Sequence, residues 1–174
     1  MSKYLIVVDM QNDFIDGALG TDEAISIVPN VERKIKEFDG KVYFTRDTHF
    51  ENYMESLEGS NLPVPHCIKG THGWQVRKEL DLLRKTDPID KLTFGSSELA
   101  KLLVAENEIE PIESITFVGL CTDICVISNV FTVRSFLPEV RLIVDASCCA
   151  GVTPESHNTA IVSMKTCQIQ IDNE

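Results

Sequence analysis

The chain has 174 residues, 43% of them hydrophobic and 25% charged, a composition that fits one globular domain over residues 1–174 with a single sizeable core. Its formal net charge of −11, with the basic residues scattered, argues against a phosphate-tracking surface and so against nucleic acid. No segment is long and apolar enough to span a bilayer, and Tyr4–Asp9 is too short an apolar run for a secretory leader, so a cytoplasmic protein with no membrane partner is expected.

Tyr4–Asp9 is an apolar run ending in a carboxylate, as in a strand buried on both faces. Met10–Thr21 is polar and glycine-containing and reads as a loop. Glu23–Phe38 has apolar residues at helical spacing, with Pro29 expected to start or bend the helix. Lys41–Thr45 is the second strand, with Arg46-Asp47-Thr48-His49 just past its end. Phe50–Gly73 is long and irregular, the kind of loop that carries function. Trp74–Arg84 and Ser96–Glu106 read as helices, with a short strand at Pro88–Leu92 between them. Ser114–Gly119 is a strand, followed by a turn and a helix from about Ile124 to Phe136. Val140–Asp145 is another strand, Pro154–Thr166 a helix with proline in its first turn, and Gln168–Ile171 an edge strand. Alternating strands and helices predict an α/β fold: a mainly parallel sheet with helices on both faces and right-handed crossovers. In such folds the chemistry gathers at the carboxyl ends of the strands, where Asp9, Asp47, His49, Lys91 and the 119–125 turn all fall.

The six cysteines, Cys67, Cys121, Cys125, Cys148, Cys149 and Cys167, are expected as free thiols. Cys125 stands apart because it lies in a strand-to-helix turn. There the helix dipole and free N–H groups are expected to lower its pKa and could receive an oxyanion. Taken alone, Cys125 reads more readily as a small core residue. Asp9 reads evenly as a loop anchor or a general base. Lys91 reads as a surface charge. Asp47 and His49, with a second histidine from the following loop, make a plausible Zn²⁺ set that also suits other divalent ions. Spacing leaves His66 and His72 both open as that second histidine. Phe14, Tyr53 and Trp74 are candidates for an aromatic pocket, and His157 reads as structural.

Together these segments resemble the nicotinamidase/isochorismatase-like cysteine hydrolases over nearly the whole chain. Val8-Asp9-Met10-Gln11-Asn12-Asp13-Phe14 is similar to the family's first motif, Thr45-Arg46-Asp47-Thr48-His49 to its metal motif, and Pro65-His66-Cys67 to the segment with the second metal histidine. Asp90-Lys91 is similar to the lysine motif, and Gly119-Leu120-Cys121-Thr122-Asp123-Ile124-Cys125-Val126 to the nucleophile turn. The resemblance implies a three-layer α/β/α sandwich around a six-stranded sheet. It implies Asp9, Lys91 and Cys125 as the catalytic set and a metal held by Asp47, His49 and His66, with zinc first and manganese or iron as alternatives. It also implies a cis peptide before Cys121, an oxyanion hole from the Cys121 and Cys125 backbone amides, and a substrate pocket including Phe14, Tyr53, Trp74 and Leu120. The implied partner is a small amide, nicotinamide first, in a homo-oligomer. The stretch Phe94-Gly95-Ser96-Ser97 departs from the family's aromatic pattern after the lysine. Other amides, carbamoyl and ureido compounds, and a non-catalytic binding role therefore stay open.

Overall fold

A computed structural model describes residues 1–174. Six parallel strands form one sheet: β1 (Ser2–Val8), β2 (Lys41–Asp47), β3 (Ile89–Lys91), β4 (Ile112–Leu120), β5 (Arg141–Ala150) and β6 (Gln170–Asp172). Their order across the sheet is β3-β2-β1-β4-β5-β6. The sheet turns back at β1, so the carboxyl ends of β1 and β4 flank the topological switch point, where such folds hold ligands.

The two faces of β1 feed two cores, because side chains alternate along a strand. Tyr4, Ile6 and Val8 pack with α5 (Ser97–Ile109), α6 (Ile127–Phe136) and α7 (Pro154–Thr166) through Leu99, Leu103, Val130, Val133, Ile161 and Met164. Leu5 and Val7 pack with α2 (Asp22–Glu37) through Ala24, Ile27, Val31 and Ile35. All five of these β1 side chains are fully buried; at about 1.5–3 kcal/mol for each buried aliphatic side chain, this strand anchors both layers.

Thr21 caps α2 by accepting from the Ala24 amide, and the helix then runs without interruption through Pro29. The expected start or bend there does not occur. Pro29 is exposed, so the carbonyl deprived of its helical donor faces water rather than a dry core. The helix expected over Trp74–Arg84 shrinks to α4 (Lys78–Asp81), and a short α1 (Asn12–Ile15) interrupts the expected loop after β1. The long segment after β2 contains a single 3₁₀ turn, Tyr53–Glu55, and α3 (Leu57–Asn61). The fifth strand continues to Ala150: Phe117 pairs with Val144 while Gly119 pairs with Cys149, so the strand bulges and then rejoins its neighbour.

At the switch point Val8 pairs with Gly119. Gly119 has φ +118°, and a Cβ there would lie 2.1 Å from the Val8 carbonyl oxygen. Only glycine lets the ends of β1 and β4 approach this closely.

Candidate active site

Three buried side chains from three strand ends meet beside this approach. Asp9 follows β1 with φ +47°, Lys91 ends β3, and Cys125 sits in a π-helical turn, Thr122–Val126, between β4 and α6. Lys91 Nζ lies 2.6 Å from Asp9 Oδ2, 3.5 Å from Cys125 Sγ and 3.4 Å from Asp47 Oδ1. It also donates to the Thr93 carbonyl at 3.1 Å. The Thr45 hydroxyl donates to Asp9 Oδ1 at 2.7 Å, which fixes the carboxylate plane. Asp9 Oδ2 has no aligned hydrogen-bond donor and meets only the ammonium charge.

The electrostatics differ from the sequence expectation at one point. Burial, and then the Asp9 charge, push the Cys125 thiol well above its ordinary pKa, against the opposing pull of Lys91. The helix-terminus effect does not prevail, because the sulfur is enclosed beside a carboxylate and its thiolate would be desolvated there. Raised in this way, the resting sulfur is held as a protonated thiol. Burial also raises Asp9 itself, with Lys91 working the other way, and so makes it a stronger base. For Lys91, burial opposes the charge, but Asp9, Cys125 and Asp47 outweigh it and hold the ammonium protonated.

The nucleophile-turn backbone is held from several sides. The Leu120–Cys121 peptide is cis. The Cys121 carbonyl accepts from the Ile124 and Val126 amides, at 3.1 and 3.0 Å. Buried Asn129 donates to the Cys125 carbonyl at 2.8 Å and to the Phe94 carbonyl at 3.1 Å, and accepts from the Ser96 amide at 3.0 Å. It ties the turn to the segment after Lys91. The Thr122 hydroxyl and His157 Nδ1 are 2.7 Å apart, linking the turn to α7.

Next to Lys91 a second cluster forms. Asp47, His49, Glu58 and His66 each present one donor atom, all within 4.8 Å of one another. His49 Nε2 is 2.9 Å from Asp47 Oδ2 and 3.5 Å from Glu58 Oε1; His66 Nε2 is 3.7 and 3.6 Å from the same two atoms. Such spacings suit donors about 2.0–2.2 Å from a shared ion. His66 Nδ1 pairs with the Val64 carbonyl at 2.8 Å, which turns Nε2 toward the cluster. His49 Nε2 is buried without an aligned hydrogen-bond acceptor. Two imidazole nitrogens and two carboxylates, one nitrogen left unsatisfied, fit a divalent cation.

The Gln11-Asn12-Asp13 motif positions this cluster. Gln11 accepts from the Asp47 amide at 2.7 Å and donates to its carbonyl at 2.8 Å. Asp13 accepts from the Cys67 amide, beside His66, at 2.8 Å. Asn12 holds the carbonyl of His72, leaving that residue outside the cluster.

Both clusters open into one cavity of about 640 Å³, lined by Cys125, Cys121, Asp47, His49, Glu58 and His66 with an apolar wall that includes Phe14, Leu57, Leu62, Leu92, Phe94 and Ile124. Phe14 lines the wall. Tyr53, Trp74 and Leu120 do not line the wall. Tyr53 packs its ring edge-on against His49 and His66 and donates its hydroxyl to the Leu62 carbonyl. Trp74 lies under the Arg46 guanidinium and donates to the Thr48 hydroxyl. Leu120 is fully buried in the α2-side core. All six cysteines are free. Glu58 and Asn129 were not expected from the sequence: Glu58 is one of several acids in an irregular loop, and Asn129 showed only as a lone amide in an apolar helix.

The family described as Isochorismatase domain matches residues 3–174. The chain belongs to this family. A nicotinamidase/pyrazinamidase of Mycobacterium tuberculosis is 25% identical, with 97% of each chain covered. A probable inactive nicotinamidase of Arabidopsis thaliana is 30% identical over 92% of this chain and 87% of the relative. The crystal structure of a Pyrococcus horikoshii pyrazinamidase in complex with zinc superimposes with a TM-score of 0.80 at 28% identity, covering all of both chains. This isochorismatase-family chain therefore has the three-layer α/β/α fold of those hydrolases, close to the nicotinamidases.

Proposed function

We propose that the protein is a cysteine-dependent amidohydrolase that converts nicotinamide to nicotinate and ammonia. The observation that carries this reading is the contact of Lys91 with both Asp9 and Cys125 in a buried site that opens on a cavity. The names of the M. tuberculosis and P. horikoshii relatives support the substrate.

The steps follow from the groups present. Asp9, a strengthened base, takes the Cys125 proton as the sulfur attacks the amide carbonyl. Lys91 balances the negative charge that this transfer moves between sulfur and carboxylate. The Cys121 and Cys125 backbone amides face the developing oxyanion, where a single donor is worth about 3–4 kcal/mol. The Cys121 N–H has no acceptor within the protein, which fits that role. Asp9 returns the proton to the departing ammonia. Water, activated by the same carboxylate, then cleaves the thioester. Asp47, His49, Glu58 and His66 would hold a divalent ion, zinc by the mixed nitrogen and oxygen donors and by the Pyrococcus relative. When bound, that ion supplies a Lewis-acid contact that orients a ring nitrogen of the substrate.

Ammonia release from nicotinamide tests the proposal. It is expected in the wild-type protein, lost in Cys125→Ala and steeply reduced in Asp9→Asn. Full activity in Cys125→Ala would reject covalent catalysis at this sulfur.

A further inference from the structure

The cavity mouth is apolar and stays open to solvent. Leu57, Leu62, Leu92, Phe94 and Val152 all line it, yet Leu57 remains 81% exposed and Leu92 68%. Exposed leucines gathered around a concave site mark a binding surface more often than chance. They are continuous with the wall that carries Cys125, so whatever rests on them extends from the reacting group. The volume falls in the range of about 300–1,000 Å³ that holds drug-sized ligands, well above what one pyridine ring and a carboxamide need.

Charge narrows the class. No lysine or arginine lines the cavity, and its two lining carboxylates are Asp47 and Glu58. Lys91 is already matched by Asp9 at 2.6 Å. A divalent ion would be matched by the two carboxylates of its own cluster. The site thus has no unbalanced cation with which to hold a substrate carboxylate, and desolvating an unpaired anion there is costly.

We infer that the preferred substrates are uncharged primary amides whose acyl part carries an apolar extension seated on Leu57, Leu62, Leu92, Phe94 and Val152. Carbamoyl or ureido acids are disfavoured. This rests on the amidase reading above and narrows its substrate class.

The test compares nicotinamide with analogues bearing methyl, ethyl or propyl at ring carbon 5 and, separately, at ring carbon 6. At one of the two positions kcat/KM is expected to rise about threefold per methylene, slightly less than full burial of a CH₂ would give. The double variant Leu57→Ser, Leu92→Ser is expected to abolish that rise. A chain of equal length ending in a carboxylate is expected to lose at least about tenfold, the scale of one unpaired buried charge. Affinities of the same amides for Cys125→Ala, measured by calorimetry, are expected to follow the same order, which gives a readout independent of turnover. Nicotinamide turnover with a flat or falling series at both positions, or a preference for the acid-ended chain, overturns this inference and leaves the amidase reading standing. No ammonia from any amide overturns the amidase reading, and the calorimetric order still decides the rim. A protein that sediments as a dimer and becomes monomeric on Leu57→Arg, with no gain along the series, would assign the rim to a second copy and overturn the inference as well.

Discussion

Strands β1 and β2 carry polar clusters at both ends, and the two clusters are built differently. At the amino ends, the Tyr4 and Tyr43 hydroxyls donate to the two oxygens of Glu106 at 2.9 and 2.8 Å, and Lys41 closes the group from solvent. Each of these groups has a partner, and the charges sit at the surface. At the carboxyl ends, Asp9 and Asp47 are almost wholly buried beside Lys91 of β3, Asp9 Oδ2 and His49 Nε2 lack aligned hydrogen-bond partners, and Asp9 adopts a left-handed backbone. The same two strands therefore supply a satisfied cluster that holds α5 to the sheet and an under-satisfied one that faces a cavity. Buried polar groups in proteins are nearly always paired, so the unpaired end is where a ligand is expected.

The sharpest way to break this contrast is activity. Cys125→Ala is expected to lower kcat for ammonia release by at least about 10³-fold, whereas Tyr43→Phe leaves it within about twofold; equal losses in a coupled ammonia assay would erase the distinction. Stability separates the ends next. Lys91→Met strands two buried carboxylates and is expected to cost about 3–5 kcal/mol in urea unfolding, while Lys41→Met, on the exposed side, is expected to cost only a small fraction of that. A smaller effect comes from the cation cluster: zinc or manganese at hundredfold excess over its dissociation constant is expected to stabilise the wild type by about 2.7 kcal/mol. Thermal melts should show that gain vanish in His66→Ala and persist in His72→Ala.

The subtlest difference is one of sign with pH. Burial, opposed by Lys91, raises Asp9, so the folded state holds that proton more tightly than the unfolded chain. Its contribution to stability falls as pH rises from the ordinary 3.8 toward the raised folded value. Glu106 is lowered, first by the Lys41 hydrogen bond and then by those of Tyr43 and Tyr4 against burial. Its contribution is present above the ordinary 4.5 and is lost as pH falls through the folded value. Unfolding free energies between about pH 3 and pH 7 should lose the falling component in Asp9→Asn and the acid-side loss in Glu106→Gln. Slopes of the same sign in both variants would contradict the assignment.

Much of this was legible in the chain because the strands are short, uninterrupted apolar runs bounded by polar residues. Tyr4–Asp9, Lys41–Thr45 and Ser114–Gly119 each foretold a strand and the position of the carboxylate or turn at its end. The start of α7 was readable from Pro154, a first-turn proline. Local pattern failed where tertiary contacts decide. Pro29 is tolerated because its face is wet. Trp74–Gln75 does not form a helix because the carbonyls of Trp74, Gln75 and Gly73 are taken by Gln11, Asn12 and Asp13 instead. Glu58 enters the cation cluster only through the path of an irregular loop, the fate of Tyr53 and Trp74 depended on how each ring packs beside that loop, and Leu120 at the end of β4 turns into the α2-side core. The raised Cys125 was likewise invisible, since its burial comes from three segments distant in sequence.

Gly119 has one more consequence. Because the oxygen of Val8 occupies the space any side chain at 119 would need, the gap between the acid-bearing and sulfur-bearing strand ends is set by a missing methyl group. A single added carbon there would wedge them apart with every reacting side chain still present, so the chain could keep its whole chemical inventory and still lose its alignment.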